Sequence, residues 1–306
     1  MPAGTQTVRS LPKLPPRPAD ANKGQFGKVL IVGGSCGMIG APALAANACL
    51  RGGAGLATVA VPQLIQQAVA ILCPCATSVS LACRADGDPA PAAVGQLARE
   101  LATRDVLAIG PGMGCGPGAI NLVRAALGQD KPVVIDADGL NNLTKIDRWH
   151  RLRRPAMILT PHPGELARLT GRSIPDIQAD RLNAAVSAAR DWAGNVGRAG
   201  DSKPPLVMVL KGQGTVVTDG RRVYVNTTGN AGMATGGAGD VLTGLIAALL
   251  GQRLECFEAA CLAVYVHGLA GDLAARNLGQ VSLIASDLLD YLPAAFKSCK
   301  SLRKSK

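Results

Sequence analysis

Asn226-Thr-Thr-Gly-Asn-Ala-Gly-Met-Ala-Thr-Gly-Gly-Ala-Gly-Asp240 runs straight into Val241-Leu-Thr-Gly-Leu-Ile-Ala-Ala-Leu-Leu-Gly251. Gly236, Gly237 and Gly239 strip a loop of side chains just before an apolar run of helical length. The first N–H groups of such a helix have no internal partner, and the helix dipole adds positive potential there. Gly237, Ala238 and Gly239 therefore make a candidate anion hole for a phosphate or another oxyanion. Asp240 sets a carboxylate beside it, where a phosphate would repel it. Accepting the proton of a hydroxyl that attacks phosphorus is a reason for a carboxylate to stand there. The plainer alternative is a glycine-rich turn with Asp240 as a first-turn acid complementing the dipole.

A buried, Ala- and Leu-rich helix implies a particular kind of core. The 306 residues are 48% hydrophobic but only 3% aromatic, so the interior must be built from Ala, Val, Leu and Ile. That suits a parallel sheet covered by close-packed helices better than an aromatic-rich sandwich. From Lys28 onward, β-type and helical runs alternate. The strand candidates are 29–32, 57–61, 106–109, 133–135, 157–159 and 207–210, then 215–218 and 222–225 around Asp219-Gly220, a hairpin signal. Helical stretches lie at 42–50, 117–127, 176–192, 240–250 and 255–277. The expected fold class is α/β: one three-layer α/β/α domain, a largely parallel sheet with helices on both faces, and the hairpin as an antiparallel edge. Residues 195–205 read as a polar surface loop.

The net charge of +11 does not point to nucleic acid. Lys297, Lys300, Arg303, Lys304 and Lys306 concentrate it in a tail, and Arg9, Lys13 and Arg17 lie in a leader with five prolines. Both ends read as solvated and mobile. Two Trp, three Tyr and three Phe leave little for bases to stack on. Nine cysteines without metal-ligand spacing read as reduced thiols, hence a cytoplasmic protein. No apolar run approaches the ~20 residues that span a bilayer, so no membrane partner is expected.

Ligands of open α/β sheets bind outside the carboxyl ends of the strands. Five strand ends here carry Gly-, Asp- or His-bearing loops: Gly33-Gly-Ser35, Gly110-Pro-Gly-Met-Gly114, Asp136-Ala-Asp-Gly-Leu-Asn141, Thr160-Pro-His-Pro-Gly-Glu165 and Lys211-Gly-Gln-Gly-Thr215. No GxGxxG, GxxxxGK[ST] or HExxH is present, so the common dinucleotide, P-loop and zinc-protease signatures are missing.

Together with Lys23-Gly-Gln-Phe-Gly-Lys28, Met38-Ile-Gly-Ala41 and the 226–240 segment, these loops resemble the ADP/ATP-dependent NAD(P)H-hydrate dehydratases of the ribokinase-like superfamily. The resemblance covers about 23–293 in the family's order. It implies three parts: a basic leader over 1–22, the catalytic domain over 23–293 and a basic tail over 294–306. Members often carry an N-terminal epimerase domain, expected to be absent here because only 22 residues precede Lys23. A separate epimerase acting on the same metabolite and homo-oligomer formation are expected instead.

The resemblance implies dehydration of the S form of NADH or NADPH hydrated at C6 of the nicotinamide ring, at the expense of ADP or ATP with Mg²⁺. Hydroxide leaves poorly at neutral pH; phosphorylation of the 6-hydroxyl makes a good leaving group that the ring nitrogen can expel. By resemblance Asp240 is the base, Ala41, Gly112, His162 and Asp240 contact the hydrate, and Lys211, Gly212, Gln213, Gly214, Thr215 and Gly239 contact the nucleotide. Glu165 reads either as the orienter of metal-bound water or as a cap for the next helix. Asp138 and Asn141 read as metal-shell or turn residues, so no metal ligand is assigned. His267 reads as a packing histidine. Two alternatives share these signals: a small-molecule kinase of the hydroxyethylthiazole or pyridoxal kinase type, and a nucleotide-binding regulator without catalysis.

Overall fold

Runs such as Val106–Ile109 and Val133–Ile135 are apolar at every position, which a strand tolerates only when both faces are covered. A computed structural model, describing residues 2–193 and 204–301, shows why. The strands are β1 Gln6–Thr7, β2 Lys28–Val32, β3 Leu56–Pro62, β4 Thr77–Leu81, β5 Val106–Ile109, β6 Val133–Ile135, β7 Met157–Leu159, β8 Leu206–Leu210, β9 Val216–Thr218 and β10 Arg222–Val225. They form one sheet in the order β1-β10-β9-β8-β7-β6-β5-β2-β3-β4. From β8 to β4 every pairing is parallel, whereas β9 pairs antiparallel with both β8 and β10.

The period of two assigns alternate residues to opposite cores. Val29 and Ile31 join one cluster with the helices Gly40–Arg51, Ala238–Gly251, Cys256–Leu278 and Ala285–Ser301. Leu30 and Val32 join the other, under Ala92–Leu101, Pro117–Leu127, Pro163–Thr170 and Arg181–Ala193. This is the three-layer fold expected from the sequence. The chain runs from β2 outward to β4, then returns to β5 on the other side of β2. The strand order thus reverses between β2 and β5, the switch point outside whose carboxyl ends ligands of such sheets bind.

Several elements differ from the sequence reading. β4 went unread because Thr-Ser-Val-Ser-Leu at a sheet edge is half polar. The helix expected over 176–192 is two, Ile174–Ala179 and Arg181–Ala193, broken at Asp180 (φ −145°, ψ 76°), whose carboxylate accepts the N–H of Asn183. The leader is not a free end. Gln6–Thr7 pairs parallel with β10, outside the hairpin that was expected to form the edge. Val8, Leu11 and Leu14 pack on the core, and Arg17 stacks over Phe26 at 3.9 Å while bonding Gln252 and the Gly53 carbonyl. The last helix runs across the expected boundary at 293/294 to Ser301, burying Ala295 and packing Phe296. Residues 302–306 and most of the 195–205 loop lie outside the described residues.

The helix Cys256–Leu278 is long and apolar enough to cross a membrane by length and composition, contrary to the sequence reading. Here 67% of its apolar window is buried inside the fold, where it packs between the Ala238–Gly251 and Ala285–Ser301 helices.

Candidate active site

The loop preceding the Ala238–Gly251 helix turns on Gly237, at φ 91° and ψ −18°. Any Cβ there would lie 2.6 Å from Leu44 Cδ1 and 2.9 Å from Ala285 Cβ, so glycine is required by both backbone and neighbours. The helix behind it is buried along nearly its whole length, which fixes the direction of its first N–H groups. His267 reaches across from the Cys256–Leu278 helix, its Nε2 2.9 Å from the Ala238 carbonyl oxygen. It is the packing histidine the sequence suggested.

A cluster of ionisable groups faces this helix start. Lys211, just after β8, lies 2.6 Å from Asp136 Oδ1 and 3.7 Å from Glu165 Oε2. Asp136, just after β6, is 1% exposed and accepts Thr243 Oγ1 on its other oxygen at 2.7 Å. Burial disfavours the Lys211 charge, but Asp136 and Glu165 outweigh it and raise the pKa. Burial also acts on Asp240, and with the Asp136 charge it pushes this carboxyl up to about 7, against the pull of Lys211. A carboxyl poised near neutrality is suited to exchange a proton with a hydroxyl.

The other candidates gather at the switch point. Gly34 N–H donates to the Pro111 carbonyl at 2.8 Å and Ser35 Oγ to that of Gly112 at 2.9 Å, joining the loops after β2 and β5. Gly112, at φ 60°, leaves only 3.1 Å between the position of a Cβ and that of Ala41. Leu44, one turn after Ala41, touches Gly237, so these residues and the anion-hole loop share the start of the Gly40–Arg51 helix.

His162 caps the Pro163–Thr170 helix. Its Nδ1 accepts Gly164 N–H at 3.0 Å, and Glu165 Oε2 accepts His162 N–H at 2.8 Å. The ring is 50% exposed, and its Nε2 lies 3.5 Å from Glu165 Oε1. Glu165 thus closes a capping box with His162. Asp138 accepts the Gly114 N–H from the loop after β5 and, within its own turn, the Asn141 amide, while Asn141 accepts from Arg168 of the Pro163–Thr170 helix.

Lys211–Thr215 forms the tight connection from β8 to β9. Gly212 and Gln213 are exposed, and Thr215 Oγ1 bonds back to the Gly212 carbonyl. Arg181, which the sequence reading missed, clamps this turn through the carbonyls of Leu210 and Lys211, each at 3.1 Å. Asp136 and Thr243 were also missed as site residues. Asp136 stood in a strand-end loop already singled out, but its partners are 75 and 107 residues away.

A cavity of about 430 Å³ opens at the opposite end of the sheet, between Gly27, Asp105, Pro132, Pro205, Arg222 and Glu255. These residues precede or flank strand starts, on the wrong side for an α/β ligand site. Among the described residues no group of three His, Cys, Asp or Glu side chains is arranged to hold a metal ion.

A glycine loop, an acid on a buried helix and a lysine gather at the carboxyl ends of a mostly parallel sheet, on a ribokinase-like α/β fold. The chain belongs to the NAD(P)H-hydrate dehydratase family, whose model matches residues 29–294. It is 45% identical over 289 residues to the bifunctional NAD(P)H-hydrate repair enzyme Nnr of Moorella thermoacetica, covering 94% of this chain and 52% of that protein. The chain thus spans about half the length of that relative and of the other bifunctional enzymes it matches. It is 38% identical over 295 residues to an ADP-dependent (S)-NAD(P)H-hydrate dehydratase of Neisseria meningitidis serogroup B, covering 91% and 87%. The Bacillus subtilis ADP/ATP-dependent NAD(P)H-hydrate dehydratase, crystallised with ATP and Mg²⁺, superposes with a TM-score of 0.77 at 30% identity. That match covers 93% of this chain and 94% of that one.

Proposed function

We propose that this chain restores NADH or NADPH from the S form of its hydrate, using ADP or ATP to phosphorylate the 6-hydroxyl. Asp240 takes the hydroxyl proton as oxygen attacks the terminal phosphorus, and the phosphorus–oxygen bond to the nucleotide breaks. The ring nitrogen then expels phosphate from C6, and loss of a proton from C5 restores the double bond. The observation carrying this reading is Asp240 in the first turn of a buried helix, raised to about 7, beside the Lys211 ammonium.

The N–H groups of Gly237, Ala238 and Gly239 would face the charge that develops on the phosphoryl oxygens. Lys211, Gly212, Gln213, Gly214, Thr215 and Gly239 would line the nucleotide, and Ala41, Gly112 and His162 the hydrate. Asp136, Asp138, Glu165 and Asp240 outnumber the single Lys211, so the site's donor set suits a nucleotide that arrives with Mg²⁺ on its phosphates. Mg²⁺ arriving on those phosphates would supply charge neutralisation during transfer.

The reading extends to a homo-oligomer in the cytoplasm. Nine cysteines without a disulfide support the cytoplasmic setting. A separate epimerase acting on the same metabolite is the partner reaction of this reading.

Incubation with hydrated NADH, Mg²⁺ and nucleotide tests the proposal. Reduced cofactor and free phosphate should appear together, one of each per nucleotide consumed. A stable phosphorylated alcohol without regenerated NADH would assign the site to a small-molecule kinase, and no turnover at all to a nucleotide-binding regulator.

A further inference from the structure

Asp136 stands where three elements meet. It follows β6, bonds Lys211 beyond β8 and bonds Thr243 inside the Ala238–Gly251 helix. A carboxylate this buried is costly to desolvate unless its oxygens are bonded, and here both are. Stability alone does not call for such a pair, because apolar groups of similar volume commonly serve as well.

The position of the ammonium gives the pair a purpose. Lys211 Nζ lies 3.4 Å from the point that a Cβ on Gly239 would occupy, and Asp136 Oδ2 lies 3.6 Å from the same point. The cation therefore stands over the first turn of the helix, beside the N–H groups that face an anion. A lysine has four rotatable methylenes and no preferred direction of its own. Asp136 takes that freedom away at 2.6 Å, and Thr243 ties the same carboxylate to the helix 2.7 Å away. Glu165 extends the chain at 3.7 Å from Lys211 and reaches the His162 N–H at 2.8 Å.

We propose that Asp136 is a positioning residue for phosphoryl transfer, holding the Lys211 ammonium over the anion hole and locking the Asp240-bearing helix to it through Thr243. This rests on the function proposed above. A cation already in place meets the charge of a phosphoryl group in transit without reorganising, so its benefit falls on the transition state more than on the bound nucleotide. Asp136 acts through Lys211 and Thr243 and touches neither substrate.

Two variants of the full chain test this: Asp136→Asn, and Thr243→Val, which keeps the charge pair and removes one tie. Asp136→Asn should lower kcat by roughly 10²-fold while changing the nucleotide KM less than about threefold, and Thr243→Val should lower kcat by roughly 3–10-fold. In parallel, calorimetry measures binding of ADP alone and of ADP with aluminium fluoride, a mimic of the phosphoryl group in transit. Asp136→Asn should weaken the aluminium fluoride complex at least about tenfold more than the ADP complex. Equal weakening of both, or kcat within twofold of wild type, would overturn the inference. If Asp136→Asn does not fold, Thr243→Val decides by the same comparison, an unchanged kcat and unchanged mimic binding being the adverse result. Wild type that binds the mimic but regenerates no cofactor would sink the dehydratase reading and leave this one standing.

Discussion

His267 Nε2 lies 2.9 Å from the carbonyl oxygen of Ala238, tying the Cys256–Leu278 helix to the first residue of the helix that bears Asp240. Burial lowers this imidazole to about 4 and raises Asp240 to about 7, so two neighbours on one helix start titrate in opposite senses.

The signs predict an unusual stability profile. Between about pH 4 and 6.5 the unfolded chain protonates His267 and the folded one does not, so His267 makes stability fall on acidification. Over about pH 3.8 to 7 the folded chain keeps the Asp240 proton that the unfolded one has lost, so Asp240 makes stability fall as pH rises. The slopes oppose, each at most about 1.4 kcal/mol per pH unit. Across their shared window, His267→Gln should make the melting temperature fall more steeply with rising pH, and Asp240→Asn should make it rise. Three parallel melting curves against pH would remove both assignments.

Asp240→Asn should leave nucleotide binding nearly intact and reduce turnover roughly 10²–10⁴-fold, the usual contribution of a positioned base. The acidic limb of the wild-type kcat/KM profile, expected near pH 7, should disappear in the residual activity. Turnover within a few-fold of wild type would take Asp240 out of the mechanism.

Gly112→Val adds a branched side chain at φ 60°, where even a Cβ meets Met38 at 3.0 Å and Ala41 at 3.1 Å. Displacing that wall should raise the KM for the hydrate by about tenfold or more and leave the nucleotide KM alone. An effect confined to the nucleotide would move Gly112 to the other half of the cleft.

Arg17→Ala removes a guanidinium stacked on Phe26 and bonded to Gln252 and Gly53. The loss should cost about 1 kcal/mol, read in a urea melt. No change would return the leader to the status of a solvated end.

At the other end, removing residues 302–306 should leave the melting temperature unchanged. Removing 295–306 takes away buried Ala295 and the packing of Phe296, at a cost of about 2–4 kcal/mol. Equal melting points for the two truncations would show that this last stretch of helix contributes nothing to the core.

Local chemistry determined most of this fold. Uniform Val and Ile runs such as β5 and β6 can only be central strands, Asp219-Gly220 can only turn tightly, and the glycines before Asp240 announce a helix start that welcomes an anion. Backbone preference and hydrophobic period are properties of a few adjacent residues, so they are written in order along the chain. Where the signal was weak, as in the half-polar β4 or the two-residue β1, pairing with a neighbouring strand decided.

The site divides the same way. Sequence alone marked Asp240, Lys211 and His162 through the loops that carry them. That Lys211 belongs to Asp136 75 residues earlier, that Thr243 closes the pair, and that Arg181 clamps the Lys211 turn were decided only when the strands aligned their carboxyl ends. A hydrogen bond needs its atoms within about 3 Å, and no spacing along the chain encodes that distance between residues so far apart.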